Sequence, residues 1–169
     1  MKNINYFSYL NNMKILHKKS KNLHEAVIEL VQNEDWDIIE QSGQFDFNWR
    51  KEKKYIVHKI RLEIEDEILG LIALEDILKE YRIHIKLIEN SNKNKGSKKK
   101  YDFIAGCLIA RSCEIAFEKE YDGFVSLAPK TELIGHYIKK YGFQNMGQLL
   151  FTELNNSEKL IKKYLNDGK

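Results

Sequence analysis

The segment KGSKKKYDFIAGCLIARSCEIAF, from Lys95 to Phe117, carries the residues most suggestive of chemistry. A glycine- and lysine-rich loop runs directly into a helix whose first turns hold Ala105, Gly106 and Cys107, and an Ile/Leu-rich stretch precedes it. Backbone N–H groups at a helix N-terminus carry partial positive charge and lack intrahelical acceptors. At the end of a buried strand, such a junction is a physical site for phosphate. Lys98, Lys99 and Lys100 add point charges, and the small residues Ala105 and Gly106 admit a ligand or a neighbouring backbone at close range. Glycine inside a helix costs roughly 1 kcal/mol against alanine, which asks for a packing or ligand reason at Gly106. The loop has neither the second glycine followed by Lys and Ser/Thr of a nucleotide-hydrolysing loop nor the GxGxxG of a dinucleotide fold, so both classes fall away.

Other reactive side chains are read by position. Cys107 and Cys113 lie six residues apart on one helix, about 9 Å apart along its axis and on different sides, so they cannot bridge each other. No histidine is placed to activate either thiol. His58 falls on the apolar face of a strand and reads as a core residue, whereas His84 and His136 read as surface residues. None has a partner at metal-ligand spacing, and no metal is expected.

The elements that must position the loop follow from periodicity. MKILHK at 13–18 fits a short strand, and Asn22 offers an N-cap for a helix burying Val27, Ile28, Leu30 and Val31. A short helix ends at Gly43, and an alternating segment places Phe45, Phe47 and Trp49 on one side. From Ile56 to Ile64 the even positions are apolar apart from His58, a strand with one buried face. An acidic turn leads to ILGLIALE, apolar on both faces, and YRIHIKLIEN then sets Ile83, Ile85, Leu87 and Glu89 on one face. After the lysine loop come a helix to Glu118, a strand DGFVSLA, a helix TELIGHYIKKY stopped by Gly142, a strand QLLFTEL and a last helix. Strands and helices in this order predict a mixed α/β sheet flanked by helices.

Composition sets the outer bounds. The 169 residues, 43% hydrophobic and 31% charged, suit one domain over 1–169 that folds without staples, with 1–12 as a loose arm or short packed segment. A net charge of +3, from 28 basic and 25 acidic side chains, is too small to argue for wholesale nucleic-acid binding, although Lys14, Lys18, Lys19 and Lys21 form a second basic stretch. The opening residues are too polar for a secretory signal and no apolar run approaches membrane-spanning length. A reducing cytoplasm, with no membrane partner, is the expectation.

The stretch from about 68 to 143 resembles the GNAT superfamily of acyl-CoA-dependent N-acetyltransferases. The resemblance lies in the order central strand, loop, helix, strand, helix, and in the closing element LIGHYIKKYGF. Of the family's loop, Lys100 and Ala105 match, while Tyr101 and Phe103 replace its central glycines. The resemblance implies a GNAT-like, mostly antiparallel central sheet and direct transfer of an acetyl group from acetyl-CoA to an amine. It assigns the cofactor to Ile88, to Lys99, Lys100, Tyr101, Asp102, Phe103, Ile104, Ala105 and Gly106, and to Lys130. At Lys130 and Thr131 a backbone role or simple helix capping by Thr131 is the reading. Within this resemblance Tyr137 is the candidate acid, or else a core residue between Leu133 and Tyr141. Glu89 is the candidate base, or else a strand-end carboxylate that faces solvent or pairs with a loop lysine. Two further readings stay open: a GNAT-fold module that has lost catalysis, and a toxin that acetylates aminoacyl-tRNA. A homodimer is compatible with each.

Overall fold

A computed structural model of the protein describes residues 13–166, so the arm expected at 1–12 lies outside the described residues. The chain begins with strands β1 (Lys14–His17) and β2 (Leu23–Leu30), helix α1 (Asp35–Gln41) and a 3₁₀ segment Trp49–Lys54. Strands β3 (Ile56–Leu62), β4 (Ile68–Ile77) and β5 (Arg82–Asn90) form a meander, followed by β6 (Tyr101–Asp102) and helix α2 (Ile104–Glu118). Then come β7 (Val125–Leu127), α3 (Ile134–Tyr141), β8 (Gln144–Met146), β9 (Leu149–Thr152), α4 (Leu154–Ile161) and a π turn Lys162–Asn166. The nine strands make one mixed sheet in the order β6-β1-β2-β3-β4-β5-β7-β9-β8, antiparallel at every junction except β5 with β7.

Both faces of the sheet are covered. The larger core packs Ile60, Leu62, Ile72, Leu74, Ile83 and Ile85 against the buried side of α2 and against Tyr164 and Leu165 of the C-terminal turn. A smaller core on the other face sets Trp36, Ile39 and Trp49 over Val57, Leu71 and Ala73. Two-sided cover explains why β4 is apolar and buried from Ile68 to Leu74. It also explains a departure from expectation in β3. Val57, on the supposed polar face, is buried under the tryptophans, while Ile64 lies beyond the strand end and is 84% exposed.

Residues 22–31 form no helix. Ala26 and Ile28 alternate inward on β2, and β1 and β3 bond it on both sides, so sheet pairing overrides a local spacing that fits either period. The segment Phe45–Trp49 is not a strand either. The Asp46 and Phe47 N–H groups donate to the Glu89 carboxylate instead of to a neighbouring strand. Thr131 caps nothing, because the helix after it starts at Ile134 with no side-chain cap.

His58 sits in the main core at 7% exposure, and its Nδ1 has no hydrogen-bond partner. Burial, with the Arg111 charge adding to it, lowers its pKa to about 4. The unfolded chain therefore binds the extra proton first as pH falls, and stability drops between pH 6.5 and 4. The expected loss is about 3 kcal/mol over that window. Urea unfolding of His58→Leu should show a clearly flatter acid limb than the parent protein.

Candidate functional site

The site begins where β5 loses a neighbour. β5 and β7 pair in parallel only at Ile83–Val125, His84–Ser126 and Ile85–Leu127. Pro129 follows two residues beyond β7 and cannot donate to a ladder, so β7 goes no further. From Lys86 to Asn90 β5 continues with a strand on its β4 side only, leaving one row of backbone groups free of strand pairing. A polar staple holds the apex of this fork. Ser126 Oγ lies 2.8 Å from His84 Nδ1, and the buried Arg82 guanidinium donates to both. His84 is thus half-buried and tied to its neighbour strand, contrary to the surface position expected. Burial, then Arg82 and Lys86, lowers its pKa and keeps it a neutral acceptor.

At the start of the open half, the β4–β5 register shifts between Ala73 and Leu74, whose partners are Leu87 and Ile85. The extra residue, Lys86, makes a β-bulge that exchanges the two faces of the strand. Ile83 and Ile85 therefore share the α2 core with Ile88, whereas Leu87 joins the tryptophan layer. This corrects the single apolar row expected from alternation. Glu89 follows Leu87 to the tryptophan side, where its side chain is only 3% exposed. It accepts from Asp46 N–H (2.7 Å), Phe47 N–H (3.3 Å), Trp49 Nε1 (2.8 Å) and Lys95 Nζ (2.6 Å). Four donors on one carboxylate make it an organiser of the 45–50 loop, and the pairing with a loop lysine, the bland alternative, is realised with Lys95.

The loop after β5 reaches α2 through β6, which pairs with β1 at Leu16–Asp102 and His17–Tyr101. A further bond, Lys18 N–H to the Lys100 carbonyl at 2.9 Å, brings the lysines of the β1–β2 turn beside those of 98–100. Phe103 turns the chain into α2 with a left-handed φ of 76°, and the first intrahelical bond is Cys107 N–H to its carbonyl at 2.9 Å. The N–H groups of Ile104, Ala105 and Gly106 precede that bond, and no side chain caps them. Asp102 stands beside them. Its Oδ1 accepts from Phe103 N–H at 2.8 Å and Lys99 Nζ at 3.0 Å. Burial works against ionisation there, but these partners outweigh it and lower the Asp102 pKa.

Three Lys–Tyr dipeptides converge on this helix end. Tyr101, Tyr141 and Tyr164 are buried and line, with Lys99, Asp102 and Phe103, a cavity of about 30 Å³. The preceding lysines, Lys100, Lys140 and Lys163, lie over the rings of these tyrosines at 5.3, 5.6 and 5.2 Å. Burial, with Lys99, Lys163 and Lys18 adding and Asp102 opposing, lowers the Lys140 pKa, as like charges gathered in one place require. Burial also pushes Tyr141 upward and Tyr164 to about 12, so both remain neutral hydroxyls at pH 7. The sequence reading found the loop lysines and missed this convergence, although the repeated Lys–Tyr pair was in view.

Gly106 serves packing rather than ligand access. A Cβ there would lie 2.2 Å from Tyr164 Cε1, so the glycine makes room for the ring of the C-terminal turn. Tyr137 is half-buried on α3, stacked near Tyr141 and Phe143 at 5.9 Å from each. Its hydroxyl makes no hydrogen bond among the described residues, and burial raises its pKa. Lys130 precedes the 3₁₀ turn Thr131–Leu133 on the exit from β7. Among the described residues no cluster of three ligating side chains is suited to a metal ion, and no helix is long and apolar enough to cross a membrane.

Solved structures with a similar arrangement of strands and helices include several acetyltransferases. The ribosomal-protein-S18-alanine N-acetyltransferase of Escherichia coli superposes with a TM-score of 0.53 at 9% identity, covering 76% of this chain and 92% of that one. The spermidine/spermine N-acetyltransferase of Vibrio cholerae gives 0.53 at 14% identity, covering 85% and 97%. The IAA acetyltransferase of Bacillus cereus gives 0.52 at 14%, covering 76% and 99%. No protein-family profile and no curated protein matches the sequence.

Gly106→Ala should destabilise the protein by about 1 to 3 kcal/mol through overpacking. The same substitution beside Tyr164→Ala should cost less, a coupling that denaturant titration of the four-member cycle would measure.

Proposed function

From its GNAT fold, we propose that the protein transfers an acyl group, acetyl from acetyl-CoA in the first instance, to an amine. The observation that carries this reading is the fork between β5 and β7, which leaves one edge of Lys86–Asn90 without a strand partner beside a helix N-terminus ringed by lysines. Extended, amide-bearing ligands pair with such an edge, and phosphates are drawn to such a helix end.

The residues fit the donor in two respects. Ile88 and its neighbours on the open edge offer hydrogen-bonding groups to a pantetheine-like chain, and Lys99, Lys100, Lys140 and Lys163 offer charge to its phosphates. Asp102, already beside the α2 N-terminus, and the small cavity favour a reading in which the phosphates meet the lysine rim rather than the helix end itself. When bound, the donor supplies an activated acyl thioester. Tyr137, a neutral phenol with its hydroxyl uncommitted, holds the proton that a departing thiolate requires. Glu89, its lone pairs engaged by four donors, acts as a positioning residue, and a base role for it draws no support from this geometry.

Calorimetric titration with acetyl-CoA, CoA and ATP tests the reading. CoA species should bind in preference to ATP, and Lys100→Ala with Lys163→Ala should weaken them about tenfold together, or 1.4 kcal/mol. Absence of CoA binding would favour the second reading, a GNAT-fold module without transfer, which the Asp102 carboxylate at the helix end specifically supports. Once an acceptor is in hand, Tyr137→Phe should lower kcat about 100-fold with KM little changed. Equal losses in kcat and cofactor affinity would instead assign Tyr137 to packing.

A further inference from the structure

On the tryptophan face of the sheet, α1 and the 45–50 loop enclose a cavity of about 220 Å³ that the donor site does not use. Its walls include Trp36, Phe45, Phe47 and Trp49, and its polar lining includes Asp46, Glu40 and Arg50. Phe47 is 47% exposed although it is a large aromatic residue, so one wall of the cavity opens to solvent. We propose that this cavity binds a free amino acid with a large apolar side chain, its side chain among the aromatic rings, its carboxylate on Arg50 and its ammonium on Asp46.

Each part of the ligand has a counterpart. Arg50 uses Nε and Nη2 to hold Glu40, at 3.1 and 2.8 Å, and Nη2 also reaches Asp37 at 2.7 Å. Its Nη1 makes no hydrogen bond among the described residues, which leaves one arm of a fixed, planar donor for a carboxylate. Glu40 and Asp37 thus act as the frame that orients the guanidinium. Asp46 is largely exposed, and its bonds from Lys95 and Asn92 lower its pKa, so it meets an ammonium as a carboxylate. Arg50 and Asp46, both in the lining, give each charge of a dipolar ligand a counterpart. Trp36 and Trp49 are nearly buried, so the ligand's side chain rests chiefly on the exposed ring of Phe47 at the open wall.

The cavity also communicates with the fork. Trp49 forms part of the wall and donates through Nε1 to Glu89, and Lys95 bridges Glu89 to Asp46 at 2.6 and 3.0 Å. The ammonium end of the ligand is therefore set against the cluster that grips β5 within its open half. Only the identification of this ligand as the acyl acceptor rests on the transfer reading; the binding itself does not.

Trp36 and Trp49 are the only two tryptophans in the chain, so intrinsic fluorescence reports on this cavity directly. The intact protein is titrated, with no acyl donor present, with L-phenylalanine, phenethylamine and 3-phenylpropionate, by fluorescence and by calorimetry. L-Phenylalanine should bind at least tenfold more tightly than either analogue. Arg50→Met should abolish its advantage over phenethylamine, Asp46→Asn its advantage over 3-phenylpropionate, and Phe47→Ala should weaken all three. No saturable binding, or equal affinity for the three compounds, would overturn the proposal. A protein that binds L-phenylalanine but no CoA would keep the amino-acid site and lose the transfer reading, so the two failures are told apart.

Discussion

The parallel ladder between β5 and β7 ends after three residue pairs, and the arrangement of the site depends on that ending. A β-strand with a partner on one side only presents a row of donors and acceptors that water, another strand or a ligand must satisfy. Here the unpaired row is short and lies inside the sheet rather than at its rim. The His84–Ser126–Arg82 staple fixes where it starts, Pro129 turns the other branch away, and the bulge at Lys86 redirects the side chains that follow. Glu89, Trp49 and the loop they hold are consequences of the bulge. Without the extra residue, Glu89 would point into the α2 core, where no donor set awaits it.

Around the α2 N-terminus three lysines lie over fixed rings, and Lys99 is paired with Asp102. Tyr101, Tyr141 and Tyr164 come from a strand, a helix and a terminal turn, and each is buried while the lysine before it lies over its face. A cation over an aromatic face retains its charge and gains about 0.5–1 kcal/mol at an exposed position. Asp102 offsets part of the resulting field from within the protein. A carboxylate already stands at this helix end, so any anion approaching it would have to compete with Asp102.

What was legible in the sequence divides along a physical line. The β3–β4–β5 meander, α2, and the helix stopped at Gly142 were readable because one face or one period dominates each of them. Residues 23–30 were not, since Val27, Ile28 and Leu30 satisfy a helical spacing while Ala26 and Ile28 satisfy a strand, and the choice is made by β1 and β3 from outside the segment. The bulge left only an ambiguous mark: alternation holds from Ile83 to Leu87 and breaks at Ile88, and it is the pairing with β4 that locates the extra residue at Lys86. Of the site, the lysine loop and the exceptional Gly106 were visible, but the reason for the glycine lay in Tyr164, too far along the chain for any local pattern to connect them. The aromatic segment Phe45–Trp49 was seen as a pattern and assigned the wrong shape, because the acceptor for its backbone was a side chain forty residues away in sequence rather than a strand.

The ring of Tyr164 on Gly106 also orders events in time. α2 and the strands beneath it precede that tyrosine during synthesis, so while the chain is being made the helix can form and dock with a vacant groove at Gly106. The lysine of the last Lys–Tyr pair joins the others only when this turn closes over the groove. A nascent or truncated chain lacking the turn would have the sheet, the fork and most of the core, but a helix end with one wall missing. The turn Lys162–Asn166 therefore completes the wall around the α2 N-terminus, coupling that helix end to a segment made later in synthesis.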